Sequence, residues 1–451
     1  MFTPHSDYDV EVMLKSIGIE KLEDLFKEIP ERFRFPGLNL PPRMTEMEAS
    51  DELESIAASN GTTKDMLSFL GAGAYDHYIP AAVDMLLRRG EFYTAYTPYQ
   101  PEISQGTLQA IFEYQSLICT LTGMDVSNAS HYDGATAAAE AVILAWHHFR
   151  GKRGKVLVSR AVNPQYRQVI RTYMQATDNL TIAGDDSETG LDPNLDKFIA
   201  QIDNNTALVL VQYPDFFGRI VDYRPLIEAA HAQGALVAVA VNPTALGILT
   251  PPGEIGADIV VGEGQPLGIP LSFGGPYLGL FAVKEPLLRK IAGRIVGETV
   301  DVEGQLAYVL TLTAREQHIR RDKATSNICS NQGLMTLASA IYLTLLGKEG
   351  FRKLSNLCYQ KAHYAAGEVS EVPGFSLAFP DQPFYHEFVV RAEQPVDEVL
   401  EHLRGHDILG GYDLGEDYPE LKGCLLMAVT EKINKADIDY LKGALSEVDH
   451  D

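Results

Sequence analysis

The stretch that decides the fold lies between residues 236 and 283. It contains Leu236–Val241 (LVAVAV), 256–266 (GADIVVGEGQP) and 272–279 (SFGGPYLG), and it ends in the apolar run 277–283. The apolar runs are short and almost continuous, which is typical of strands that are covered on both faces. We therefore predict three neighbouring strands here, at 236–241, 259–261 and 277–283, with a glycine-rich turn before the last.

Working outward, the same alternation continues toward the N-terminus. Further apolar runs occupy 156–159 and 207–212. Helical spacing separates the runs or precedes them, and the predicted helices are 108–121, 135–149, 166–174 and 225–232. Short buried strands alternating with helices predict an α/β class with a mainly parallel, doubly wound sheet.

The two ends of the chain differ from this middle part. Residues 1–64 predict an N-terminal arm, with helices at 13–27 and 47–58 and a proline-rich strap at 35–42 between them. Such an arm either wraps a neighbouring subunit or caps its own core, and the sequence leaves both open. After a large domain at 65–330, residues 331–451 predict a small α+β domain. Its predicted helices are 334–346, 351–369, 396–403 and 435–445, and its strands are 375–377, 388–390 and 424–429.

Composition excludes several classes of protein. The 451 residues carry 61 acidic and 37 basic side chains, a net charge of −24, which argues against nucleic acid or an anionic membrane as the main partner. The four cysteines show no CxxC spacing, so neither a zinc site nor a redox pair is expected, and no metal is predicted. The acidic N-terminus and the absence of a long apolar run predict a cytoplasmic protein without a membrane span.

The polar segment 94–102 (TAYTPYQPE) is the first candidate site. Two prolines stiffen it, and it presents Tyr96, Thr97, Tyr99 and Gln100. Ordering so many polar groups in a rigid loop is costly unless they bind something. We therefore predict that these four side chains are functional.

The segment 315–328 (REQHIRRDKATSNI) is the densest polar run. It carries Arg320, Arg321 and Lys323 in a strongly acidic chain. A solvated face with local ion pairs would explain it equally simply. The hypothesis favoured here is contact with an acidic partner or with a substrate carboxylate.

Two further segments combine glycine with polar residues. In 133–140 (DGATAAAE) a helix start with free N–H groups could bind an anion, or Asp133 could simply cap an alanine-rich helix. In 69–77 (FLGAGAYDH) the single His77 is interpreted as a hydrogen-bonded structural histidine rather than a catalytic one.

Two residues that bind the cofactor in one class of enzymes are missing from the central strands. The order of two central strands followed by a glycine-rich turn resembles fold type I pyridoxal-phosphate (PLP) enzymes. In those enzymes an Asp near the end of the first strand faces the pyridine nitrogen, and a Lys before the turn forms the Schiff base. Here the first position falls near Ala240 and the second at Gln265 or Pro266. This chain is therefore predicted to bind no PLP through a lysine of its own.

Six strings carry a more specific resemblance, and together they run through most of the chain. They resemble the glycine-cleavage P-protein family, most closely the α (subunit 1) chains of its two-subunit bacterial form. The strings are FLGAGAYDHYIP, TAYTPYQPEISQG, YDGATAAAE, VQYPDFFGRIVD, SFGGPYLG and REQHIRRDKATSNIC. The resemblance implies the aspartate-aminotransferase fold and a homologous β subunit that bears the PLP lysine.

The resemblance also implies a function. The pair of subunits would decarboxylate glycine with PLP bound by the partner and transfer the aminomethyl group to the lipoyl group of the H-protein. The implied assembly is a heterotetramer of two α and two β chains, inactive when this chain is alone. Tyr96, Thr97, Tyr99 and Gln100 would complete the partner's site. The basic residues of 315–328 would contact the carrier or substrate, and 133–140 would be a remnant phosphate cradle.

Two alternatives remain at this stage. The chain could be a self-sufficient PLP enzyme with a displaced lysine, either Lys284 or Lys323. It could also be a regulatory or binding pseudoenzyme of the same fold with no glycine chemistry.

Overall fold

The computed structural model describes residues 4–35, 37–186, 191 and 195–448. The chain forms two compact units, Met1–Gly61 and Thr62–Asp451. Residues 1–3 of the predicted arm, Pro36 of the predicted strap and residues 449–451 lie outside the described part. Within that part, no helix is both long and apolar enough to cross a membrane.

The first unit holds two capped α-helices, α1 (Asp7–Ile17) and α2 (Glu46–Ala57). Each begins with a capping box, formed by Ser6 with Asp9 and by Thr45 with Glu48. The helix predicted at 13–27 is wrong in its bounds, because Gly18 adopts φ 81° and ends α1. The apolar residues beyond it form a 3₁₀ turn, Leu22–Phe26. No residue of α1 or α2 is buried.

The second unit carries the other regular elements. Its helices are α3 (Ala81–Leu87), α4 (Gly90–Tyr93), α5 (Gln105–Thr122), α6 (Gly134–His148), α7 (Pro164–Met174), α8 (Asp196–Ile199), α9 (Arg224–Ala232), α10 (Gln317–Arg320), α11 (Gly333–Ser370), α12 (Val396–Gly405) and α13 (Lys435–Ser446). Its strands are β1 (Leu67–Ser68), β2 (Val126–Ser127), β3 (Lys155–Val158), β4 (Thr181–Ala183), β5 (Thr206–Tyr213), β6 (Leu236–Val241), β7 (Ile259–Glu263), β8 (Gly279–Val283), β9 (Ile295–Val300), β10 (Leu306–Thr311), β11 (Phe375–Leu377), β12 (Glu387–Ala392), β13 (Ile408–Leu409), β14 (Tyr412–Asp413) and β15 (Cys424–Ala428).

A seven-stranded sheet forms the centre, in the order β2-β8-β7-β6-β5-β3-β4. The strands β3 to β7 are parallel, whereas β8 runs antiparallel to β7. The segment 264–278 joins β7 to β8 without a crossover α-helix, so it returns the chain in the opposite direction. The prediction of a mainly parallel, doubly wound α/β sheet is confirmed.

Both faces of this sheet are buried, as the apolar runs predicted. Val237 and Val239 of β6 pack into one core with Tyr114 of α5. Ala238 and Ala240 belong to a second core, which includes the alanines of α6. Consecutive side chains of a strand point to opposite faces, so a strand between two helix layers needs no polar alternation.

The C-terminal part forms a four-stranded antiparallel sheet, β11-β12-β15-β14, that shares a core with α12 and α13. The two helices predicted at 334–346 and 351–369 are the halves of α11, which is interrupted at Gly347 (φ 56°, ψ −176°). The β9–β10 hairpin was not predicted, because Gly297, Glu298 and Thr299 interrupt the apolar pattern of β9, although β10 (LAYVLT) is mostly apolar.

Candidate functional site

The carboxyl end of β7 meets the N-terminus of α6 through the buried side chain of Glu263. Its Oε2 accepts a hydrogen bond from the Gly134 N–H at 2.9 Å. Its Oε1 accepts from the N–H groups of Gln265 and Leu278, each at 2.9 Å. The helix start that the sequence suggested as an anion cradle therefore holds a carboxyl group of the chain's own.

The start of α6 combines both sequence interpretations. Asp133 is the N-cap, and its Oδ1 accepts from the Thr136 N–H at 2.7 Å. Gly134 is required at the next position, because a Cβ there would lie 1.9 Å from Oη of Tyr166. The capped helix thus also leaves its first N–H free for the Glu263 carboxylate.

Burial controls the electrostatics of Glu263. Desolvation raises its pKa to about 7, although the three N–H donors lower it. Near neutral pH the group therefore titrates between a neutral acid and an anion inside the protein.

Gln265, at the position where a Schiff-base lysine was sought, is fully used in hydrogen bonds. Its Oε1 accepts from the Tyr75 N–H at 2.8 Å. Its Nε2 donates to the carbonyls of Tyr75 at 2.9 Å and of Ile269 at 2.8 Å. Pro266 beside it is buried, and Ala240 offers no carboxylate for a pyridine nitrogen.

A second buried carboxylate closes the same region from the C-terminal sheet. Glu387 accepts from the Ala72 N–H and from the Tyr75 hydroxyl, both at 2.8 Å. Burial raises the pKa of Glu387 to about 7. These bonds fix the glycine-rich loop 71–75 across the space between the sheets.

The space that remains is very small. A cavity of about 20 Å³ is bordered by Gly73, Asn163, Gln212 and Asn242 among others. That volume holds about one water molecule, whereas ligand pockets usually measure roughly 300–1,000 Å³. The residues present therefore do not fit PLP in this chain, and we derive no chemistry through a cofactor here.

His77 follows the glycine-rich loop 71–75, which Gln265 and Glu387 hold in place. Its Nδ1 is 2.7 Å from Oε2 of Glu431, whose Oε1 accepts from the Tyr78 N–H at 2.6 Å. Burial raises the pKa of Glu431, but the hydrogen bond and charge of His77 outweigh it and hold the pKa at about 2. The prediction of a hydrogen-bonded histidine agrees with this geometry.

The loop 94–102 lies at the surface of its unit. Tyr96 is 77% exposed and Tyr99 is 70% exposed, with ring centroids 6.3 Å apart. Gln100 is also exposed and precedes the turn Pro101–Ile103. Thr97 is the inward residue of the four, and its hydroxyl accepts from the Arg294 guanidinium. The loop is therefore anchored through Thr97 and exposes two phenols and one amide to solvent.

Arg294 is a buried cation that the sequence interpretation missed. Besides Thr97, its Nη1 donates to Ser330 Oγ at 3.2 Å and to Asn331 Oδ1 at 3.4 Å. These bonds join the tyrosine loop to the segment that follows the basic run.

The basic run itself is exposed. Arg320 ends α10, and the turn Arg321–Lys323 follows. Arg320 also lines a cavity of about 360 Å³ together with Glu140, Arg289, Lys290 and Arg315. Arg321 and Lys323 are not among the residues lining it.

Neither of the two lysines considered as displaced Schiff-base residues lies next to Glu263 and Gln265. Lys284 follows β8, and its Nζ donates to the Gly123 carbonyl at 3.0 Å. Because Val283 pairs with Ile259, Lys284 lies at the opposite end of β7 from Glu263. Lys323 is exposed on the surface.

Comparison with known proteins agrees with this description. Residues 1–445 match the family model of the glycine cleavage system P-protein. The chain is 53% identical over 447 residues to the probable glycine dehydrogenase (decarboxylating) subunit 1 of Geobacillus kaustophilus, covering 99% of this chain and 98% of that one. It is 51% identical to the corresponding protein of Thermomicrobium roseum, with 99% of both chains covered.

A solved structure shows the same architecture. It is a glycine decarboxylase (P-protein) of the glycine cleavage system in inhibitor-bound form, 42% identical, with a TM-score of 0.91 over 99% of this chain and 100% of that one. The fold is that of fold type I PLP-dependent enzymes. Together the sequence and structural matches show that the chain belongs to the glycine cleavage system P-protein family and resembles its subunit 1 members.

Proposed function

We propose that this chain is the lysine-less α subunit of a two-subunit glycine decarboxylase and completes the cofactor site of a homologous, lysine-bearing β subunit. PLP held by that partner supplies the electron sink for decarboxylation. The aminomethyl group then passes to the lipoyl group of the H-protein. The observation that carries the proposal is that Gln265, which with Pro266 stands where the family resemblance places the lysine, makes three hydrogen bonds with Tyr75 and Ile269.

The tyrosine loop is the part of this chain that we assign to the partner's site. Tyr96 and Tyr99 offer phenol donors, and Gln100 offers both a donor and an acceptor. Because Arg294 holds Thr97, the loop is anchored beneath its exposed tip. Groups held in this way can orient a substrate carboxylate or a phosphate without a large ordering cost.

Arg320, Arg321 and Lys323 form the second contribution. Three exposed cations lie within four residues of a chain whose net charge is −24. Their role in the proposal is to attract the carrier or the glycine carboxylate toward the entrance.

The first unit supports an obligate partner. Its α1 and α2 bury no residue, and large apolar side chains remain exposed, including Tyr8 at 73%, Met47 at 70% and Leu53 at 66%. Exposed apolar groups on such a scale are typical of surfaces that another chain covers. We assign this surface to assembly into a heterotetramer of two α and two β chains. All four cysteines are free thiols, which fits the reducing cytoplasm where we place the assembly.

Reconstitution tests the proposal. Each subunit is purified separately, and glycine–bicarbonate exchange is measured for each alone and for the mixture with PLP and lipoylated carrier. We expect exchange in the mixture only. Full activity of the lysine-bearing chain alone would contradict the proposal and favour a regulatory or binding pseudoenzyme.

A further inference from the structure

The start of α6 is an anion site that is already filled. We propose that Glu263 is the residue that excludes phosphate-bearing cofactors from this chain, because its carboxylate stands in the phosphate's place. The inference concerns this chain alone and does not depend on the partner role proposed above.

Three N–H groups from separate segments converge on the one carboxylate. Gly134 donates from the first turn of the 15-residue helix α6, Gln265 from the segment after β7, and Leu278 from the residue before β8. All three donor–acceptor distances are 2.9 Å. Such a convergence, aligned with the positive end of a helix dipole, is the arrangement that binds phosphate groups.

The surroundings of Glu263 match an anion cradle in two further ways. The phenol of Tyr166 lies so close to Gly134 that only glycine fits there. A cavity of about 20 Å³ adjoins Glu263 and is lined by Tyr166 and Gly73 as well. Removing the glutamate side chain would add its volume to this cavity and expose three unpaired donors to it.

Loss of the lysine alone would not close such a site. A phosphate is held by the cradle and not by the Schiff base, so a chain lacking only the lysine could still bind the phosphate group. The resident carboxyl group of Glu263 prevents this, since it uses the donors and, when ionised, adds a negative charge at the same point. The sequence marks this residue as a lone Glu inside the apolar run VVGEG.

The test uses the full-length chain and inorganic phosphate as the probe, with Glu263→Ala as the variant. Glu387→Ala is the matched control, because Glu387 is also a buried carboxylate whose pKa burial raises to about 7, and it accepts from one backbone N–H group instead of three. Phosphate binding is measured by isothermal titration calorimetry and by the rise of Tm with phosphate. We expect Glu263→Ala to bind phosphate at least about tenfold more tightly than the wild type and Glu387→Ala.

Three results would overturn the inference. They are a folded Glu263→Ala that gains no affinity, a wild type that binds as tightly as the variant, and an equal gain in Glu387→Ala. If Glu263→Ala does not fold in chloride, its refolding yield is compared in phosphate and chloride at equal ionic strength. Rescue by phosphate would support the inference, and equal yields would overturn it.

Discussion

The protonation of three buried glutamates, Glu140, Glu263 and Glu387, affects the free energy of unfolding. Burial raises the pKa of each to about 7, whereas an unfolded glutamate titrates near 4.5. Between these values the folded state retains protons that the unfolded state has released. The contribution of these three groups to the free energy of unfolding must therefore fall as the pH rises through this window.

The direction of this change in unfolding free energy can be tested by measuring Tm against pH. We expect the Tm of Glu387→Gln, taken relative to that of the wild type, to rise from about pH 4.5 to pH 7, because the variant lacks the contribution that the wild type loses over this range. Glu431 changes its contribution only in more acidic solution, because its pKa is held at about 2. Burial lowers the pKa of His131 and of His386 to about 3, so these groups act in the opposite sense below about pH 6.5, but both proteins contain them and the comparison cancels their effect. Thermal denaturation of both proteins across this range measures the effect. Glu349→Gln, at a carboxylate whose side chain is 84% exposed, is the control and should keep the wild-type slope.

The tyrosine loop makes the second prediction at this scale. Tyr96→Phe and Gln100→Ala should each lower glycine–bicarbonate exchange in the reconstituted complex by roughly 5- to 150-fold, the effect of losing one hydrogen bond worth about 1–3 kcal/mol. Tm should stay unchanged, because both side chains are exposed. Tyr93→Phe, a comparably exposed tyrosine (69%) outside the loop tip, is the control. Wild-type exchange in both loop variants would remove the loop from the active site.

At the scale of elements, the central strands were the most predictable part. The strand at 236–241 was predicted with the bounds that the structure has, because both of its faces are buried and nothing polar interrupts it. The helix predicted at 13–27 was wrong, because the apolar spacing continues past Gly18 while the backbone does not. The β9–β10 hairpin escaped prediction although β10 (LAYVLT) is mostly apolar, because Gly297, Glu298 and Thr299 interrupt the strand pattern of β9.

The candidate site was predictable only in outline. The sequence predicted that Gln265 or Pro266 stands at the lysine position, and that a helix starts within 133–140. It could not show what fills the site, because the partners are distant in sequence. Gly134 and Glu263 are 129 residues apart, and Tyr75 and Gln265 are 190 apart. Arg294 was missed because it lies outside every motif, although it anchors Thr97.

The hydrogen bonds between Gln265 and Tyr75 of the loop 71–75 lead to a prediction for Gln265. Gln265→Lys should not restore cofactor binding, since the space around the residue is closed and its amide bonds are structural. We expect a loss of at least about 2 kcal/mol in unfolding free energy, because the Tyr75 backbone groups lose their partners. Denaturant unfolding and the visible spectrum with PLP provide the two measurements. A stable variant with a violet absorption band would contradict this interpretation.

At the scale of the whole molecule, the strong negative charge and the exposed apolar side chains of the first unit point in different directions. The charge of −24 favours solubility, while side chains such as Tyr8 and Leu53 favour association. We expect the chain to form a heterotetramer with its lysine-bearing homologue, since obligate interfaces commonly bury more than about 2,000 Å². Light scattering of the separate and mixed chains measures the mass. A chain that stays monomeric after mixing with the homologue would contradict this expectation.

The central claim is that this chain serves an active site without holding its cofactor. Borohydride reduction of the active, reconstituted complex with PLP, followed by peptide mapping of both chains, tests it most directly. The account predicts one phosphopyridoxyl-lysine for each pair of subunits, found in the partner, with Lys284 and Lys323 of this chain unmodified. A stoichiometric label on any lysine of this chain would contradict it.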